Sequence, residues 1–147
     1  MTKKKLSSPV LFHFLYTRFR LINRTEAKAC IQQIFEKEKK KLAIINYIFC
    51  NRSYLLKLNK TYLSHDFHTD ILSFSFSGPG EGIIADIYIS VEMVRDNARL
   101  FKCSFQEELH RVIFHGALHL CGYSDKTKEE KLRMRKAEDH YLALYFA

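Results

Sequence analysis

The stretch that decides how this chain folds is Val112–Asp125, VIFHGALHLCGYSD. Between Val112 and Tyr123 its polar side chains, a thiol apart, are His115 and His119, and the rest is apolar nearly all round a helical wheel. A helix without a polar face is a buried one, so this segment predicts the central helix of the domain. Positions four apart share a helix face, with Cβ atoms about 5–6 Å apart. Two imidazoles so placed can reach one ion at about 2.0–2.1 Å each, whereas unpartnered in an apolar helix they would cost desolvation energy. Gly122 fits the position after a helix end, where φ turns positive. Three residues later Asp125 can fold back over that end. Two histidines and a carboxylate leave a fourth position open for water, as in catalytic rather than structural zinc sites. No cysteine has the spacing to close the site, and Cys121, two positions round from His119, should point away. The bland readings stand beside this one. H-x-x-x-H lacks the glutamate of H-E-x-x-H, and Asp125 also suits an Asx turn before a helix starting at Thr127.

Working outward, LFHFLYTRFRL (11–21) has partial alternation and reads as a strand. NRTEAKACIQQIFEKEKK (23–40) places Ala27, Cys30, Ile31 and Ile34 on one helical stripe, with Asn23 or Thr25 as cap. KLAIINYIFC (41–50) is a β-branched run and predicts a buried strand. NRSYLLKLNKTYL (51–63) opens on a capping Asn51 and sets Leu55, Leu58 and Tyr62 on one face of a second helix. DILSFSF (70–76) is a strand, SGPGEG (77–82) a turn, and IIADIYISV (83–91) a further strand. VEMVRDNARLF (91–101) is a helix. The histidine helix is capped at Ser104 with Glu107 three residues on, and the last helix at Thr127 with Glu130, two capping boxes. The order β-α-β-α-β-β-α-α-α predicts an α/β fold of the α+β type. It has one mixed sheet of about four strands with helices packed on it, the metal-binding helix central, and one domain over 1–147.

The chain has 147 residues, a net charge of +8 and a pI near 9.4, so an acidic partner is expected, nucleic acid ahead of a membrane surface. Cys30, Cys50, Cys103 and Cys121 form no C-x-x-C pair, which suits reduced cytosolic thiols better than a disulfide framework. The opening MTKKKLSSPVLFHFLY has the outline of a signal peptide. His13 interrupts its apolar run, Arg18 and Arg20 follow, and it has no small-residue cleavage site, so a first strand is the better reading. No run approaches the ~20 apolar residues of a membrane span; a cytoplasmic protein without a membrane partner is expected. The charged run KTKEEKLRMRKAEDH (126–140) reads first as a solvated helix face with Glu–Lys and Glu–Arg pairs, and second as an RNA contact.

Three blocks of residues resemble one known family. HGALHLCGYSD is similar to the H-G-x-L-H-L-x-G-Y-D-H signature of the YbeY-type metal-dependent endoribonucleases. LNKTYL followed by TDILSF resembles that family's L-N-x-x-Y-R and T-D-V-L-S-F blocks, and ADIYIS stands in place of its G-D-I strand. The matches run in the right order from about Leu58 to Tyr123. The resemblance implies a single-strand-specific endoribonuclease acting in ribosomal RNA maturation, notably at the 3′ end of small-subunit RNA, and in ribosome quality control. It implies single-stranded and ribosomal RNA and the ribosome as partners. It also implies one zinc ion per chain held by three histidines, carried over here as His115, His119 and, in place of the third histidine, Asp125.

Two departures follow from the same comparison. Asp125 binds zinc at a distance similar to imidazole, and its added charge admits a harder divalent ion such as Mn²⁺ more easily. Leu63 stands where the family carries an arginine suited to a scissile phosphate; Lys57, Lys60, His65 or His68 are the nearby cations, each also readable as a solvated surface residue. Phe67 and Tyr123 are candidates for stacking on bases and equally for packing. Beyond a metal-activated water the residues nominate no general base. His110 and Glu108 suit a surface position as well as a catalytic one, and Asp70 and Asp86 suit structural hydrogen bonding. A non-catalytic, ribosome-associated RNA-binding factor with a structural metal is the competing function. A metal-dependent peptidase is disfavoured by the missing H-E-x-x-H glutamate.

Overall fold

The computed structural model describes residues 8–147, and the basic start of the chain, residues 1–7, lies outside the described residues. The elements follow the expected order: β1 Val10–Phe14, α1 Arg24–Lys37, β2 Leu42–Cys50, α2 Arg52–Leu63, β3 Ile71–Ser75, β4 Ile83–Ser90, α3 Val91–Leu100, α4 Phe105–Leu120 and α5 Lys128–Tyr145. They build a single four-stranded sheet in the order β1-β2-β4-β3, with β1, β2 and β4 mutually parallel and β3 antiparallel to β4.

Alternation along the strands decides which helix covers which face. Ile45, Tyr47 and Phe49 of β2 and Ile87 and Ile89 of β4 point one way, into a core shared with Ile31 and Ile34 of α1 and with Leu109, Ile113, Phe114, Ala117 and Leu118 of α4. Each such aliphatic or aromatic side chain contributes roughly 1.5–3 kcal/mol on burial, and α4 supplies so many because from Val112 onward only the side carrying His115 and His119 is polar. The Tyr47 hydroxyl, wholly buried, donates to the Ile113 carbonyl at 2.8 Å and ties this helix to the sheet. The opposite face is covered more thinly, by Leu55 and Leu58 of α2 against Cys50, Leu72, Phe74 and Tyr88.

Gly116 sets how close α4 lies to the strands. A Cβ at this position would stand 2.8 Å from Cδ1 of Ile87 and 3.1 Å from Cδ1 of Ile71. The helix therefore packs tightly over β4 and the first residue of β3, and His115, its neighbour, comes to the rim of the sheet there. The helix ends as its sequence predicts. Gly122 takes φ 108, its N–H donates to the His119 carbonyl at 3.0 Å, and the Tyr123 N–H donates to the Leu118 carbonyl at 3.1 Å. These are the two bonds of a Schellman end.

Several local expectations are corrected. β1 ends at Phe14, because the Phe49 carbonyl takes both the Leu15 and Tyr16 N–H groups and the chain turns out of the ladder. Phe19 then reaches the core on its own, against Phe14 and Phe49. Asn23 precedes α1 in the left-handed conformation and makes no side-chain cap bond. Tyr62 is 67% exposed rather than facing inward with Leu55, since α2 covers only part of its sheet face. Thr127 and Glu130 form a full capping box, whereas at Ser104 the bond present is that accepted by its hydroxyl from the Glu107 N–H. Glu108 and His110 are buried, not superficial.

His110 stacks on Tyr145 with centroids 4.4 Å apart, and its Nδ1–H donates to the Gln106 carbonyl at 2.7 Å. Nε2 is buried with no hydrogen-bond partner among the described residues. Burial accordingly holds the imidazole below its ordinary value of 6.5.

Two outcomes are expected. Gly122→Ala should cost about 1–2 kcal/mol, because only the backbone angle is at stake and space around the position is open; chemical denaturation reads this directly. The unfolded chain protonates His110 at its ordinary value while the native chain resists, so below 6.5 the unfolded state binds more protons and stability falls with pH. Stability curves of His110→Phe between neutral pH and about pH 5 should be shallower than the parent's, and equal slopes would remove His110 from the acid response.

Candidate active site

A cleft of about 740 Å³ opens between three walls: the α2–β3 connection with the start of β3, the outward side of α4, and the middle of α5 with the loop before that helix. His115, His119 and Asp125 all line it, so the three residues singled out from the sequence share one cavity. Schellman reversal at Gly122 is what returns Asp125 to the histidine face. Its Oδ2 stands 3.5 Å from Nε2 of His115.

The protonation pattern of both rings follows from their Nδ1 partners. Nδ1 of His115 lies 2.7 Å from Oε2 of Glu138, and Nδ1 of His119 lies 3.3 Å from the Tyr123 carbonyl oxygen. A carboxylate and a carbonyl can only accept here, so each Nδ1 carries the proton. Each neutral ring then has its lone pair on Nε2. That is the tautomer a metal ligand needs, and a carboxylate or carbonyl on the far nitrogen is the usual way of fixing it.

Glu138 was not among the sequence candidates. It is 5% exposed, and besides His115 it accepts from Nη1 of Arg111 at 3.0 Å. Arg111 is fixed at its other nitrogen by Asp139, 2.7 Å away. Burial alone would lower the Arg111 value, but the hydrogen bonds from Asp139 and Glu138 outweigh it and hold the guanidinium charged. At His115 desolvation likewise favours the neutral ring, and the Glu138 bond together with the charges of Glu138, Asp125 and Asp70 reverses it, raising the value above 6.5. A bound cation would oppose that protonation.

Asp70 and Glu108 also line the cleft. Desolvation pushes both carboxyls up, against the lowering effect of His115 on Asp70 and of Arg111 on Glu108. Asp70 accepts from Asn97 at 3.2 Å. Asp86 is elsewhere, on the thinly covered sheet face, where it accepts from Asn46 at 3.1 Å. Tyr123 spends its hydroxyl on Glu38 at 3.1 Å and serves packing rather than stacking on a base. Lys57 and His68 do not line the cleft, and Lys60 is paired with Asp66 at 3.2 Å; of the cations suggested by sequence, His65 alone reaches it. Leu63 lines the wall beside His65.

The donor set fits a divalent ion in its chemistry. Two ligands at about 2.0–2.1 Å on a tetrahedral ion stand about 3.3 Å apart, close to the His115–Asp125 separation and longer than a hydrogen bond. His119 lies on the same wall but is not gathered with them: among the described residues no three His, Cys, Asp or Glu side chains stand close enough to enclose an ion.

Fold and cleft define a one-sheet α/β protein whose central helix carries two histidines, each with Nδ1 hydrogen-bonded to an acceptor, on the wall of an acidic cavity. The chain belongs to the YbeY family, since the family model described as Endoribonuclease YbeY matches residues 16–145. Relatives agree: the Endoribonuclease YbeY of Cytophaga hutchinsonii is 45% identical over 128 residues, 87% of this chain and 90% of that one. That of Flavobacterium psychrophilum is 50% identical over 115 residues, 78% of this chain and 81% of its own length. A Thermotoga maritima protein known from its solution structure superposes with a TM-score of 0.62 over 93% of this chain and 89% of its own. At 24% identity that likeness speaks for the fold.

Replacing Glu138 by Leu should lower stability by about 3 kcal/mol, because Arg111 and the His115 Nδ1–H are left without their buried acceptor. The urea midpoint should drop with the slope unchanged; an unaltered midpoint would mean that Asp139 alone satisfies the guanidinium.

Proposed function

We propose that this chain is a metal-dependent endoribonuclease that cuts single-stranded RNA, with zinc held by His115, His119 and Asp125. The observation that carries the reading is the tautomer lock: Glu138 and the Tyr123 carbonyl take both Nδ1 protons, and Asp125 sits 3.5 Å from the Nε2 of His115. Membership of a family whose relatives are named endoribonucleases supplies the substrate class. In cells the substrate is ribosomal RNA, cut in maturation of the small-subunit 3′ end and in ribosome quality control in the cytoplasm. Among the described residues no helix is long and apolar enough to cross a membrane.

The chain's own residues prepare the site. Glu138 and Tyr123 hold the two rings in register, the buried Glu138–Arg111 contact keeps α5 against α4, and Asp125 brings one negative charge. A divalent ion held there supplies Lewis acidity toward a phosphodiester and toward water. Set against a zinc site built of neutral imidazoles, the Asp125 carboxylate favours harder ions, so this donor set also admits Mn²⁺.

The test is cleavage of an end-labelled single-stranded RNA with Zn²⁺ or Mn²⁺, with chelator, and with identically prepared His115→Ala and Asp125→Ala. Cleavage by the parent that needs metal and falls at least a hundredfold in His115→Ala, the scale of a lost metal ligand or more, is expected. Equal residual cleavage in all three would identify a contaminating nuclease. A parent that binds RNA, cuts nothing and unfolds on chelation would establish a structural metal instead.

A further inference from the structure

The cleft carries a charge problem that its metal ligands do not solve. Four acidic side chains line it; Glu108 and Glu138 are 5% exposed, while Asp125 is exposed and Asp70 half-buried, so an entering phosphodiester meets these last two first. Arg111 is already engaged by Glu138 and Asp139, and its side chain is only 12% exposed. Leu63 brings no charge. Two lining cations are left without an acidic partner within ion-pair distance among the described residues, Lys126 beside Asp125 and Arg135 one turn before Glu138, and both are exposed.

On the α2–β3 side His65 lines the cleft, and Phe67, just outside the lining, extends it as a flat aromatic surface. The rings of His65 and Phe67 stack with centroids 5.1 Å apart and planes inclined by 20°, and Phe67 is 56% exposed. This pair is held in place from beneath. Asn59, 1% exposed, donates from Nδ2 to the Phe67 carbonyl at 3.0 Å, and its backbone carbonyl accepts from the His65 N–H at 3.1 Å. Ser64 makes the reversal between helix and loop at φ 56. An exposed phenylalanine pinned by a buried asparagine is a built surface, not a loose loop tip.

We propose that the cleft grips one nucleotide of single-stranded RNA between these walls, its base stacked on the His65–Phe67 pair and its phosphate met by Arg135, with Lys126 beside it. Arg135 supplies from α5 the charge that Leu63 does not supply from α2. The stacking contact requires an unstacked nucleotide, because a base within a duplex has no free face to offer the ring pair. Selection for single strands therefore resides in the α2–β3 connection, and backbone affinity in α5.

The inference rests on the ribonuclease reading, and binding measured without cleavage separates the two. Fluorescence anisotropy of a labelled single-stranded oligouridylate in chelator, with the full chain, reads the grip alone. Phe67→Ala should weaken binding roughly tenfold, in line with one lost stack, and Phe67→Tyr should restore it. On an oligonucleotide carrying abasic sites throughout, parent and Phe67→Ala should bind alike. Arg135→Ala should also weaken binding roughly tenfold and lower the slope of log affinity against log salt by about 0.7, one single-strand phosphate. Arg135→Lys should recover the slope, and Lys57→Ala, outside the cleft, should leave both quantities unchanged. A parent that binds and cleaves while Phe67→Ala and Arg135→Ala bind as it does overturns this inference and leaves the ribonuclease standing. A tenfold loss in Phe67→Ala that persists on the abasic strand overturns the stacking role. A parent that neither binds nor cleaves overturns both readings.

Discussion

The carboxylate of Glu138 is the contact on which the site depends. It is buried between Arg111 and His115, so it fastens α5 to α4 and at the same time decides which imidazole nitrogen carries the proton. A buried carboxylate with a single partner would be costly; with a guanidinium and an imidazole N–H both donating, its lone pairs are satisfied and desolvation is offset. The arrangement also couples function to folding. Whatever loosens the last helix frees the His115 ring, because the same two oxygens serve both.

Around that contact the fold places rigidity and openness in different regions. The core face of the sheet is closed by α1 and α4, with the Tyr47 hydroxyl tied to α4 and Gly116 allowing the helix to lie close on β4. The histidines thus sit on the best-packed element of the molecule, which suits groups that must hold their geometry. The opposite cleft wall is a connection in which Leu63, His65 and Phe67 are exposed. The candidate metal-binding histidines are on the helix, and the proposed substrate contacts are on the loop and the outward side of α5, a division common to sites built on stable scaffolds.

The charge of the cleft departs from that of the chain. A basic protein of net charge +8 gathers RNA at long range, yet the cavity itself is lined by four carboxylates. Acidic groups suit a cation and oppose a phosphate, so lining cations are needed to bring the two together. Arg111 meets the internal need. Lys126 and Arg135 face outward to meet the external one.

How far the sequence reaches can be judged element by element. Local rules were enough for the nine elements in their order, for the Schellman end at Gly122 and for the box at Thr127, because each depends on side-chain period or on backbone angles within a few residues. The His115–His119 pair was equally legible, since four residues of helix put two rings on one face whatever surrounds them. What the sequence could not disclose was everything set by residues far apart in the chain. Glu138 is 23 positions from His115 and reads as one more acid on a charged helix until α5 packs against α4. Glu108 and His110 read equally as surface or catalytic groups, because two polar residues at the start of a helix say nothing of the neighbour that covers them. The strand order, with β4 inserted between β2 and β3, is likewise a matter of which faces bury best together. Periodicity is a property of neighbours along the chain; burial, tautomer and ion pairing belong to neighbours in space, and only the packed structure chooses those.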